Sequence, residues 1–509
     1  MKRFIVGIFC MLVVCNVSHA SLPAGIDWYN HSIGAAFEHA RKSSKPLFLY
    51  WGAVWCPPCN QIKKTIFSAP QFQNVVKSFI PVYLDGDDPD AQKWGAKLKT
   101  SGYPTMLIMD GNMQEVMRLP TGVTVDEYVR LMQSALETMK PMKEILTKAL
   151  KGKGKTAATP ADWERLAGYS WSQDEERTVS EKDQLKTFEQ LWKKSLKLNP
   201  VIHSRFYLSL LLAQAQKEQE RIKENPKDKK KKKRAAPPLK FIQEFVTLLK
   251  SPELYRANLE TMNWQAKEIM EYLFPDDSDL KREVKKMWRD LALASAGNTE
   301  LSLDERMSSL APLLTVDESS DLGQLIIEKA RWADQTAQGE YERQAAISTA
   351  IGLLRENKQY DEAIRMAQNE LSKSHSPFYF MSELSEIAKE RGYKKESIEW
   401  ARKAWEASTG ENTRFQWGTA YIANILELTP EDAHNVELSL TQVVSEVVPK
   451  ADAFAGRNLK RFERLSRKIS EWGKEKMRIV PHKKIKSNML SLCGQAKSKP
   501  LCEKWARSI

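Results

Sequence analysis

Cys56 and Cys59 stand two residues apart in the segment "WCPPC", with Trp55 in front of them and Pro57 and Pro58 between them. Thiols at this spacing support thiol–disulfide exchange, half of a metal site, or a small structural staple. A tetrahedral zinc site wants four ligands, normally two such pairs. Cys493 and Cys502 have the wrong spacing for the second pair, and none of the seven histidines falls in a ligand-like cluster. Redox chemistry is therefore the expected use, with a staple as the alternative. No metal is expected, and no cofactor beyond a redox-active Cys56–Cys59 disulfide.

The elements around the pair decide how it is held. "KPLFLYWGA" ahead of it is a continuous apolar run from Leu47 to Trp51, which suits a buried strand. A helical pattern with Ile62 and Ile66 follows it. The pair thus starts a helix, where unpaired amides and the helix dipole favour negative charge. Cys56 is expected to be the nucleophile, with a lowered pKa. Cys59, one turn on, would resolve a mixed disulfide formed at Cys56. The prolines occupy positions whose N–H groups the first turn does not use, and Trp55 would shield one side. Downstream, "GYPT" places Tyr103 and Pro104 just before another strand. A cis Tyr103–Pro104 bond there would set the backbone beside the thiols and offer an edge to an extended substrate.

Further readings complete an α-β-α-β-α-β-β-α order over residues 21–142. "SIGAAFEHARKSS" is a Ser-capped helix, "APQFQNVVKSF" and "DAQKWGAKLKT" are helices, and "IPVYLDGD" is a strand. "TMLIMDGNMQEVMRL" is a hairpin around Asp110-Gly111-Asn112. "TVDEYVRLMQSALETM" is a Thr-capped helix with Val125, Tyr128, Val129, Met132 and Leu136 as its apolar stripe.

These features resemble the thioredoxin superfamily. The stretch from Lys45 to Gln73 with "YPTMLIMDGNMQE" resembles more narrowly the C-terminal, periplasmic thioredoxin-like domain of the thiol:disulfide interchange protein DsbD and its relatives. The likeness covers about 120 residues. It implies an α/β thioredoxin fold, thiol–disulfide exchange through Cys56 and Cys59, and Pro104 as the cis-proline. Two positions depart from that family. Tyr50 and Lys63 stand where it carries acidic residues that help deprotonate the second thiol. Lys63 would either lower thiol pKa values through its charge or simply lie at the surface. The electron-carrying membrane helices of the full transporter are also missing, so electrons would come from another, membrane-bound protein.

With 509 residues the chain is too long for one core. Residues 1–20 read as a signal peptide: Lys2 and Arg3, an apolar core from Phe4 to Val17, and "SHA" before a cleavage point after Ala20. Export, to the periplasm of a Gram-negative cell, favours a structural disulfide between Cys493 and Cys502. Of the net charge of +13, two come from Lys2 and Arg3 and six from residues 227–234, which leaves five. The basic balance is thus local, and no nucleic-acid partner is expected. That Lys-rich run reads as a solvated linker (225–238), with anionic lipid or an acidic partner as the alternative.

After a linker at 143–160, the regions 161–224 and 239–480 read as all-α, and 481–509 as a helical hairpin. "NKQYDEAIRMAQNEL" and "RGYKKESIEWARKAW" repeat: Ile364 and Ile398 lie 34 residues apart, as do Ala367 and Ala401. That is the tetratricopeptide period, and a non-repeating bundle is the alternative. The expected protein is an exported reductant of protein disulfides with a helical partner-binding region. The competing readings are an oxidant or isomerase, or an adaptor whose helical array does the binding.

Overall fold

The computed structural model describes residues 24–224 and 237–509. The expected signal peptide and the basic run 227–234 lie outside the described residues. Among the described residues no helix is long and apolar enough to cross a membrane.

The α/β domain runs α1 (Ile33–Ser43), β1 (Leu47–Gly52), α2 (Pro57–Ile62), α3 (Pro70–Val76), β2 (Ile80–Asp85), α4 (Ala91–Lys97), β3 (Thr105–Met109), β4 (Glu115–Leu119) and α5 (Val125–Thr138). The strand order is β2-β1-β3-β4, with β1 parallel to β2 and β3 antiparallel to β1 and β4. Every residue of β1 is buried because both faces of the sheet are covered. Leu47, Leu49 and Trp51 pack with Ile33, Ala36 and Phe37 of α1. Phe48 and Tyr50, of opposite parity, join Phe67, Phe72 and Tyr128 on the other face.

Local chemistry sets the ends of these elements. Ser32 and Thr124 hydroxyls each accept an N3 amide at 3.3 Å and cap α1 and α5, worth about 1 kcal/mol apiece. The Asp110 carboxylate accepts from the amides of Asn112 and Gln114 and closes the β3–β4 turn. On α5 the buried face is Tyr128, Leu131, Met132 and Ala135, while Val125, Val129 and Leu136 are half-buried. The stripe is turned from its expected line because α3, β4 and the helix Pro160–Ala167 all pack on α5.

Residues 143–160 are not a plain linker. Met142–Lys151 is a helix whose Met142, Ile145, Leu146 and Ala149 recur at helical spacing and are buried. Only the stretch from Gly152 to Thr159 joins it to the next helix. The chain that follows closes the outer edge of β4. The Ser170 amide donates to Arg118 O (3.0 Å), and the Arg165 guanidinium donates to Val116 O (2.6 Å). The Arg118 guanidinium, fully buried, is held by Glu115 (2.9 and 3.2 Å) and donates to Gln173 O (2.6 Å). A sheet edge that would otherwise invite pairing with another chain becomes an internal seam.

No strand follows β4 among the described residues; the remainder is a large all-α region. The two 34-residue units form helix pairs, Gly339–Glu356 with Tyr360–Glu370 and Pro377–Glu390 with Lys394–Ala407, and these helices pack in chain order. Lys358 and Gly392, at equivalent turns, both take left-handed backbone (φ +62° and +81°). Ala367 and Ala401 are buried, and Ile364 and Ile398 half-buried. At the C-terminus the helices Ile479–Leu492 and Lys499–Ser508 are joined by a Cys493–Cys502 disulfide with a Cα–Cα distance of 5.5 Å. One apolar core runs from the Phe48/Tyr50 face into the helical region. The helix Gly339–Glu356 packs on α2, and the helix Gly456–Trp472 packs on α4.

Candidate active site

β1 delivers the chain to Gly52, and a short turn hands it to α2 with Cys56 as the N-cap residue. The Cys59 amide donates to Cys56 Sγ at 3.4 Å. Pro57 and Pro58 fill the first helical positions, where no intrahelical N–H bond is lost. The Asn60 amide donates to Val54 O (2.8 Å) and Cys56 O (2.9 Å), which clamps the turn from inside. Both thiols are free and buried, Cys56 at 3% exposure and Cys59 at 0%. The Tyr103–Pro104 bond is cis, and the Cys56 thiol donates to Tyr103 O at 3.5 Å. Trp55, Pro57, Pro58, Tyr103 and Pro104 thus surround the pair.

The helical region covers this site. Gln344 Nε2 donates to Trp55 O (3.0 Å), and His375 Nε2 bonds Val54 O (2.9 Å). Trp55 Nε1 donates to Thr413 Oγ1 (3.0 Å), and the Trp55 ring meets Trp417 edge-on at 5.7 Å. Gln173 Nε2 donates to Pro104 O (3.0 Å). The Arg457 guanidinium lies 4.2 Å from the centre of the Tyr103 ring and donates to Ser101 O (2.6 Å). Asp87, just past β2, accepts from the amides of Asn412 (2.7 Å) and Thr413 (2.8 Å) and from Thr413 Oγ1 (2.6 Å). Gly410, in left-handed backbone, lets this carboxylate approach, since a Cβ there would lie 2.3 Å from it.

This cover changes the thiol electrostatics. Burial, then the neighbouring Cys59 thiol, pushes Cys56 well above the usual thiol range, and the Arg457 charge only partly opposes this. The expected lowered pKa at Cys56 is therefore not met in the closed arrangement: a short helix start does not offset the loss of water. Cys59 is also penalised by burial, but the Cys56 thiol, the Ala53 backbone, the Tyr50 hydroxyl and the Lys63 charge bring it below the ordinary value. The Tyr50 hydroxyl lies near Cys59 with no hydrogen bond at normal distance, and burial first, then Cys59, raises its pKa. Lys63 is not at the surface. It is 1% exposed, its ammonium has no hydrogen-bond partner, and it sits 5.3 Å from the Tyr341 ring centre and 6.0 Å from that of Tyr83. Burial lowers its pKa, while the charges of Cys59, Asp85, Cys56 and Glu340 oppose the fall.

The structure thus gathers Tyr50, Trp55, Cys56, Pro57, Pro58, Cys59, Lys63, Tyr103 and Pro104 in one place and leaves Cys493 and Cys502 bonded to each other elsewhere. Sequence reasoning missed Gln173, Gln344, His375, Thr413 and Arg457. Trp55 and Thr413 lie 358 positions apart, and no local pattern joins such residues. The acidic turn Asp85, Asp87 and Asp88 behind a buried strand was the one local sign of a contact.

Residues 27–111 match a family model described as thioredoxin-like. The N-terminal domain belongs to the thioredoxin superfamily. The free Cys56 and Cys59 thiols stand at the head of α2 in this domain. A solved structure titled "DsbH Oxidoreductase" is similar at 22% identity, over 23% of this chain and 88% of its own, with a TM-score of 0.21. No curated protein matches the chain in sequence. The thioredoxin-like match ends well before the helical region that closes over the site.

Proposed function

We propose that the protein is an exported thiol–disulfide oxidoreductase that reduces protein disulfides. The observation that carries this reading is the pair of free thiols one helical turn apart beside the cis Tyr103–Pro104 bond. Cys56, the more exposed thiol, attacks one client sulfur as the thiolate. The other client sulfur leaves and takes a proton. The Cys59 thiolate then attacks Cys56 Sγ and frees the second client thiol. Two electrons pass to the client, and the chain is left with a Cys56–Cys59 disulfide. A membrane-bound dithiol protein is the proposed source of electrons for the next cycle.

The same reading gives the helical region, a tetratricopeptide-like array, a guarding role. It occupies the backbone acceptors of the active-site loops, so a macromolecular client reaches Cys56 only after the cover lifts. Lifting it returns water to Cys56 and removes the burial that raises its pKa. The adaptor reading is less supported, because the helical region spends these contacts on its own thioredoxin-like domain. Insulin reduction by the wild type and by Cys56→Ser tests the proposal. Activity in the wild type that is lost in Cys56→Ser is expected; equal rates would remove the reading.

A further inference from the structure

The C-terminal end of the chain holds most of its charge. Residues 456–509 contain sixteen Lys and Arg against four Asp and Glu, a net of +12 in a chain of +13. Much of this lies on one helix face. Along the helix Gly456–Trp472, Lys460, Arg464, Arg467 and Lys468 recur at helical spacing and are exposed, while Phe462, Leu465 and Ile469 are buried. Glu463 and Glu471 are the acids of this helix, and Lys460 reaches Glu175 at 3.0 Å.

Where this helix ends, the chain turns a corner and presents apolar side chains to solvent. Met477 (92% exposed), Ile479 (42%) and Val480 (77%) stand within four positions of one another. Met477 and Val480 are the two most exposed large apolar residues among the described residues. Lys474 and Lys483 flank them and are exposed too. The corner is packed rather than frayed. The His482 ring lies against Gly473, where a Cβ would come within 2.4 Å of it. Arg478 pairs with Glu475 at 2.9 Å and lies 5.8 Å from the centre of the Trp472 ring. Lys484 reaches Glu437 (2.9 Å), and Lys486 donates to Ile509 O (2.9 Å). Single exposed apolar residues are ordinary, but a contiguous group on a built corner marks an interaction site.

We infer that this corner docks on an anionic phospholipid surface. Met477, Ile479 and Val480 enter the headgroup layer, and the basic side chains around them meet lipid phosphates. Charge selects this occupant. A second copy of the chain would bring the same +12 and repel. A nucleic acid offers phosphates but no apolar layer for the three side chains. Among the described residues no helix is long and apolar enough to cross a membrane, so the contact is with its surface. The seventeen-residue helix Gly456–Trp472 is about 25 Å long at 1.5 Å per residue. Arg457, at its other end, lies over the Tyr103 ring. One helix therefore ties the docked corner to the active-site loops. The inference needs no redox step and stands apart from the exchange reading.

The test uses the chain from Ser21 to Ile509, which keeps every described residue and removes the apolar leader. Sedimentation with vesicles of phosphatidylcholine, with and without phosphatidylglycerol, reads the partition coefficient. Binding is expected to be tenfold or more tighter with phosphatidylglycerol, and to fall toward the phosphatidylcholine level at high salt. Met477→Asp/Val480→Asp should lose tenfold or more of that binding while keeping the wild-type Tm and thiol exchange. Should that variant unfold, Lys474→Glu/Lys483→Glu, which leaves the apolar atoms untouched, carries the test with a loss in the same direction. Equal binding to the two vesicles would overturn the inference. So would folded corner variants that bind as the wild type does, which would place the attraction elsewhere, as in residues 227–234. Two further results would reassign the corner and overturn the lipid surface: duplex DNA bound as tightly as the mixed vesicles and lost in the same variants, or a dimer in sedimentation velocity that Met477→Asp/Val480→Asp dissociates.

Discussion

Lys63 is a charge in a place where charge is costly. It is buried, its ammonium lacks a hydrogen-bond partner, and it lies close enough to lower the pKa of Cys59. The position held an acid in the resembling domain, where a carboxylate would take the proton from the second thiol. A cation cannot accept that proton, but it stabilises the thiolate left behind. Replacing Lys63 with Met removes that stabilisation. The Cys59 thiolate fraction should then fall, so the mixed disulfide at Cys56 should persist longer than in the wild type in quenched-flow mass spectrometry. An unchanged lifetime would mean that Lys63 serves packing alone. Asp87 supplies a pH dependence. Burial pushes its carboxyl up to about 6 from the ordinary 3.8, against hydrogen bonds from Thr413 and Asn412. A raised pKa contributes stability that is fully present below about pH 3.8 and lost as pH rises through 6. For one such group this is on the order of 3 kcal/mol. Urea unfolding should show a smaller loss of stability from pH 4 to pH 7 in Asp87→Asn than in the wild type.

At the scale of elements, the small ring closed by Cys493 and Cys502 staples two short C-terminal helices. Loop closure of this size is worth about 2–3 kcal/mol in the chain-entropy model. Cys493→Ser/Cys502→Ser should lower the Tm while leaving thiol exchange at Cys56 within about twofold of the wild type. Loss of exchange together with the disulfide would instead tie the two pairs functionally. Most elements of the thioredoxin-like domain were legible in the sequence because their signals are local. Apolar runs such as Leu47 to Trp51, caps such as Ser32 and Thr124, and the Asp110 turn act over a few residues. The helix Met142–Lys151 was read through because the Gly- and Lys-rich stretch after it dominates the composition, although Met142, Ile145, Leu146 and Ala149 carry helical spacing. Cys56 was placed correctly at the head of α2, but its electrostatics were not legible. They depend on burial first and on the Arg457 charge, which arrives from more than 300 positions away.

At the scale of the molecule, the site and its cover form one packed unit. Thr413 holds both Trp55 Nε1 and the Asp87 carboxylate. Each such bond contributes about 1 kcal/mol net, and each kcal/mol changes the open fraction about fivefold. Thr413→Ala should therefore speed alkylation of Cys56 by iodoacetamide by roughly tenfold or more, and Arg457→Ala should do so in the same direction. If neither variant differs from the wild type, the cover does not control access.

The central claim is that Cys56 attacks and Cys59 resolves. Intact-mass analysis and peptide mapping after exposing the reduced protein to a small peptide disulfide test it most directly. The wild type should finish with a Cys56–Cys59 disulfide and no adduct, while Cys59→Ala should hold one peptide on Cys56. A peptide found on Cys59 in Cys56→Ala at the same rate, or a wild-type pair that stays reduced, would contradict the account.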